Sequence, residues 1–99
     1  MRLQILHVPD CPGAELLETR LSPLLAAHPG LELTRQVLVD QAGAERAGMT
    51  GSPTLLADGT DPFARSGLGP SVSCRLYTDE DGRQGPAPSP GQLRQALGL

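Results

Sequence analysis

The chain contains no lysine, no asparagine and no tryptophan, and its aromatic residues are Phe63 and Tyr77 alone. Without lysine there is no amine for Schiff-base chemistry and no P-loop cation to reach phosphates. All eight basic residues are arginines, scattered singly against eleven acids for a formal net charge of −3. A nucleic-acid binder usually gathers positive charge on one face and offers aromatic platforms for stacking, so nucleic acid is not an expected partner. No segment approaches the roughly 20 consecutive apolar residues that cross a bilayer, which argues against a membrane partner. The start of the chain lacks the long apolar run and small-residue cleavage site of a secretory leader, and a cytoplasmic location is the expectation. Two cysteines, Cys11 and Cys74, are too few for a disulfide scaffold. In a reducing compartment such a pair is more often redox-active or metal-binding than structural.

What is present suffices for one modest core. The 99 residues, 38% of them hydrophobic, make a single domain over 1–99, with twelve glycines and ten prolines supplying turns. Exclusive use of Arg with abundant Ala, Gly and Pro suggests a GC-rich bacterial coding sequence. Leu3 to Val8, closed by Pro9-Asp10, predicts a central strand. Leu17, Leu21, Leu24 and Leu25 fall at helical spacing within 13–27, and Pro23 inside that segment predicts a kink or break. Leu31 to Val39 alternates, with Leu31, Leu33, Val37 and Val39 on one side, as an edge strand does.

Gln41 to Ala47 predicts a short helix ended by Gly48, and Thr54 to Ala57 a third strand, placed centrally. Residues 60–73 have the chemistry of an irregular loop, Cys74 to Thr78 read as a fourth strand, and Asp79 to Gly82 as an acidic hairpin turn. Pro86 to Pro90 reads as a stiff connector. Ser89-Pro90-Gly91-Gln92 combines a capping box with Pro at the first helical position, predicting a closing helix. The order contains one right-handed βαβ unit followed by two strands able to pair antiparallel, which predicts a three-layer α/β domain with a mixed sheet.

Cys11 stands where the first strand gives way to the first helix. Unpaired backbone N–H groups and the positive end of the helix dipole favour a thiolate there, while a nearby Asp10 acts in the opposite direction. His7 reads as a satisfied strand histidine and His28 as a residue at the helix C-terminus. The acidic turn lacks the spaced ligands of a calcium loop.

Val8-Pro9-Asp10 followed by Cys11-Pro12-Gly13-Ala14 at a helix start resembles the active-site strand and turn of the thioredoxin-like family. Gly51-Ser52-Pro53-Thr54, leading into a strand, is similar to that family's cis-proline loop, and residues 85–93 resemble the approach to its last helix. The resemblance implies a three-layer α/β/α sandwich with a four-stranded mixed sheet and helices on both faces. It also implies a cis bond before Pro53, with Pro12, Ser52 and Pro53 contacting a substrate, and needs no cofactor. One departure is chemical: Ala14 stands where a dithiol member has its second cysteine. What the resemblance then implies is a monothiol oxidoreductase in which Cys11 forms a mixed disulfide with a protein or small-molecule thiol, and a second thiol resolves it.

Cys74 is the only resolving candidate in the chain. An antiparallel fourth strand would place it at the sheet end opposite Cys11. The segments Asp61-Pro62-Phe63-Ala64 and 71–77 also resemble small actinobacterial thioredoxin-like proteins, some labelled as relatives of organomercurial lyases. Two thiols with an acid, Asp10 or Asp61, are the residue types that soft-metal capture requires, making a soft metal the alternative partner. A catalytically silent interaction module is the third reading, supported by the missing motif cysteine.

Overall fold

A computed structural model describes all 99 residues as β1 (Arg2–His7), α1 (Pro12–Ala27), β2 (Glu32–Val37), α2 (Gln41–Ala47), β3 (Thr50–Ser52), β4 (Thr54–Ala57), β5 (Ser71–Cys74), β6 (Tyr77–Thr78), β7 (Gln84–Gly85) and α3 (Pro90–Leu97). β1 is central because it is apolar on both faces. Leu3 and Ile5 join Leu17, Leu21 and Leu24 of α1, Leu55, and Leu93 and Leu97 of α3 in one buried cluster. Leu6, on the other face, packs with Leu38, Ala44, Met49 and Leu56 in a second. At about 1.5–3 kcal/mol for each fully buried aliphatic side chain, these two clusters supply the main driving force for folding.

β2 pairs parallel with β1 from Arg2 beside Glu32 to His7 beside Val37, and β4 pairs antiparallel on the other side, from Leu3 beside Ala57 to Leu6 beside Thr54. The result is a three-stranded mixed sheet in the order β2-β1-β4, with separate two-stranded pairings β3-β5 and β6-β7. The domain is therefore α/β with three helices and mixed sheets, but a continuous four-stranded sheet is not what the chain forms. The run Thr54 to Ala57 forms the expected strand, β4, but as the edge of the three-stranded sheet rather than at its centre, and Thr50–Ser52 before it forms a further strand, β3. The expected fourth strand is divided. β5 pairs parallel with β3, and β6 forms a hairpin with β7.

Two side-chain placements also differ from the alternating pattern. Val37 and Val39 are 53% and 73% exposed, whereas Leu38 is buried. β2 ends at Val37, and the chain then turns toward α2, carrying Leu38 into the second core. α1 runs unbroken through Pro23. Residues 86–90 are more than a connector: Ala87 and Pro88 are buried, and the guanidinium of Arg20 donates to both their carbonyl oxygens, at 3.1 and 2.9 Å. α3 has the complete capping box, with Ser89 Oγ accepting from the Gln92 N–H and Gln92 Oε1 from that of Ser89. No helix is long and apolar enough to cross a membrane.

Candidate functional site

Cys11 is the N-cap of α1, with an extended backbone, Pro12 in the first turn, and no side-chain cap bond. Its thiol is therefore not engaged with its own helix. Across the gap lies Ser52, the last residue of β3, joined to Pro53 by a cis peptide bond as the resemblance implied. Ser52 Oγ lies 3.0 Å from Cys11 Sγ in a donating position and accepts the backbone N–H of Val8 at 3.0 Å. The ring of Pro53 closes against α1 so tightly that a Cβ at Gly13 would lie 2.8 Å from its Cδ and 2.6 Å from the carbonyl oxygen of Pro86. Gly13 is thus required for the helix start and the Pro53 loop to meet. Ala14 is fully buried in the main core.

A groove of about 290 Å³ opens beside the thiol, lined by His7, Asp10, Cys11, Pro12, Glu15 and Arg35. Arg35 reaches from β2 to α1, donating to Glu18 at 2.6 Å and Glu15 at 2.9 Å, and its Nε donates to His7 Nε2 at 3.2 Å. With Nε2 accepting, His7 Nδ1 carries the proton and donates to the carbonyl of Val8 at 2.8 Å. This is the satisfied histidine expected from the sequence. The hydrogen bond from Arg35, and then its charge, hold the Glu15 carboxyl below the usual range; the bond to Glu15 in turn raises the Arg35 guanidinium. His28 ends α1 through its backbone N–H, which donates to Leu24. A larger groove at the beginning of β1, lined by residues such as Arg2, Gln4, Glu32 and Asp58, contains no cysteine.

The second cysteine is where an antiparallel strand would not have put it. Because β5 runs parallel to β3, Cys74 falls directly beside Ser52, and the Arg75 N–H donates to the Ser52 carbonyl at 3.0 Å. Cys74 is exposed, Cys11 half-buried, and both are free thiols.

Beneath β5 lies a polar cluster that the sequence did not single out. The Arg75 side chain, only 4% exposed, donates to Asp61 at 2.7 Å, to Thr50 Oγ1 at 3.1 Å and to the Phe63 carbonyl at 2.7 Å. Its guanidinium also lies over the Tyr77 ring, 4.7 Å from the centroid. The Tyr77 hydroxyl donates to the Pro53 carbonyl at 2.5 Å. Asp61 is thus committed to Arg75 rather than to a thiol, and Asp10, exposed with φ 56°, is the acid adjoining Cys11. No cluster of three or more His, Cys, Asp or Glu side chains is assembled in a metal-holding arrangement. An arginine between two short strands carries no sequence signal that would predict its burial.

No protein-family model, curated protein or solved structure matches the chain.

Burial pushes the Tyr77 phenol far above its ordinary value of 10. The unfolded chain ionises this tyrosine near pH 10 while the folded chain does not, so the unfolded state binds fewer protons above that pH. This contribution to stability is complete below the unfolded value and falls as pH rises beyond it. Tyr77 is the sole tyrosine. In an alkaline titration, phenolate absorbance should therefore appear together with the loss of helical circular dichroism. Phenolate at the ordinary pH with the helices intact would contradict the burial argument.

Proposed function

We propose that this protein is a monothiol-type thiol protein of the thioredoxin-like kind, forming mixed disulfides through Cys11. The observation that carries the reading is the Ser52 hydroxyl 3.0 Å from Cys11 Sγ, at a helix start and beside an open groove. In thiol–disulfide exchange the Cys11 thiolate attacks a disulfide RSSR. One new S–S bond forms, the old one breaks, and RS⁻ leaves to take up a proton. Sulfur bears negative charge as nucleophile and again as leaving group. A hydroxyl aimed at it, together with the N-terminal end of α1, supports that charge at both stages. With alanine at position 14 the helix has no neighbouring resolving cysteine, so the second thiol must come from elsewhere.

The test uses a neutral small disulfide, hydroxyethyl disulfide, with intact-mass detection after acid quenching. Wild-type protein and Cys74→Ser should both acquire one hydroxyethylthio group on Cys11. Cys11→Ser should acquire none on that timescale. Ser52→Ala should react about tenfold more slowly, the loss of one hydrogen bond to a charged group. If Cys11 reacts no faster than a cysteine in an unfolded peptide at equal pH, the silent interaction module becomes the better reading.

A further inference from the structure

Resting on the Cys11 reading, we propose that the groove beside Cys11 selects disulfides carrying positive charge next to the sulfur, with Asp10 the residue that sets the preference. Three charged side chains line the groove, Asp10, Glu15 and Arg35, together with His7, Cys11 and Pro12. Its one cation is already engaged. Each of the three guanidinium nitrogens of Arg35 donates to a partner: Nη1 to Glu18 at 2.6 Å, Nη2 to Glu15 at 2.9 Å and Nε to His7 Nε2 at 3.2 Å. Two carboxylates therefore share one guanidinium, and that group carries a net negative charge. His7 adds no positive charge, because the ring nitrogen that accepts from Arg35 bears no proton.

Asp10 differs from the other acids of the groove. It is exposed, directly precedes Cys11 and takes part in none of the ion pairs of the chain. The groove is thus anionic twice over, from Asp10 and from the group around Arg35. The positive end of α1 offsets only part of this, being equivalent to about half an elementary charge. An ammonium or guanidinium on the substrate is drawn to the carboxylates of the groove and to the charge gathering on Cys11 Sγ. A substrate carboxylate meets Asp10 and Glu15 and finds the guanidinium held by Glu15 and Glu18. At about 290 Å³ the groove admits one slender arm, such as an aminoalkyl chain, rather than a large ligand. Cys74 has no part in the selection, since it lines a separate groove with Arg65 and Ser71 that shares no residue with this one.

Rates of adduct formation, followed by intact mass in a Cys74→Ser background where Cys11 is the one thiol, test this. The reagents are cystamine, a dication, and dithiodipropionate, a dianion. Their rate ratio is divided by the same ratio for a cysteine in an unfolded, uncharged peptide, which removes the intrinsic difference between the two disulfides. At about 0.01 M ionic strength, where the screening length is about 30 Å, the normalised ratio should be about fivefold or more above unity, the effect of unit charges about 7 Å apart in water. At about 1 M salt it should fall close to unity. Asp10→Asn, a side chain that tolerates the φ of 56° at this position, should cut the low-salt ratio at least about threefold. Glu32→Gln removes the same charge beside Arg2, at the opposite end of β1, and should cut it less. A normalised ratio near unity at low salt would overturn the proposal while leaving the Cys11 reading intact. So would an unchanged ratio in Asp10→Asn, or equal drops in Asp10→Asn and Glu32→Gln, which would assign the preference to overall charge. If neither reagent nor hydroxyethyl disulfide forms a Cys11 adduct, both readings fall.

Discussion

Arg75→Ala should lower the stability of the fold by about 3–5 kcal/mol, the range seen when one member of a buried ion pair is removed. The reason is what remains behind. Asp61, with only 12% of its side chain exposed, keeps a carboxylate with no cation, and the Phe63 carbonyl loses its donor. The Tyr77 ring loses the guanidinium above it. Urea unfolding followed by circular dichroism reads the loss directly. The pair itself is a different matter from either half: exchanging both partners for apolar residues of similar volume, as in Arg75→Met with Asp61→Leu, should recover most of the stability. A loss below about 1 kcal/mol for Arg75→Ala would mean that water reaches the cluster and that it is held far less tightly than its geometry implies.

Gly51→Ala should be nearly as damaging, for two separable reasons. Gly51 has φ +109°, a conformation that costs an L side chain about 1–3 kcal/mol. The added Cβ would also lie 2.7 Å from Arg75 Cβ, and overpacking of this kind costs about a further 1–3 kcal/mol. Gly59→Ala isolates the first part, since Gly59 also has positive φ, +83°, but a Cβ there meets nothing within 4 Å. The difference between the two variants in urea unfolding reports the overlap. Equal losses would show that β5 yields freely where it crosses β3.

The parts of the fold that local chemistry controls were legible in the sequence. The capping box at Ser89, the left-handed stop at Gly48 and the apolar run of β1 each rest on neighbouring residues. Around the thiol, the cis bond before Pro53 is as the resemblance implied. The 3.0 Å contact between sulfur and hydroxyl is consistent with that reading. What sequence could not supply was the direction of β5. Nothing in Ser71 to Cys74 distinguishes parallel from antiparallel pairing, because the choice is made by partners far along the chain. Gln41 holds the Pro70 carbonyl at 2.8 Å, and Arg75 seeks Asp61 on the inner side. Those anchors set the strand's course and place the second cysteine beside Ser52. Arg35 was similarly silent in sequence, since Glu15 and Glu18 become its partners only when α1 lies across β2.

A hydroxyl has a single proton to give, and at Ser52 the direction of that proton is decided before any substrate arrives. The N–H of Val8 already occupies an acceptor position on Oγ, so the O–H vector is left to point at Cys11. Solvent around a free thiol must reorganise as charge gathers on sulfur; here the nearest dipole is already oriented by the end of β1, and the folding of the chain has done that work in advance.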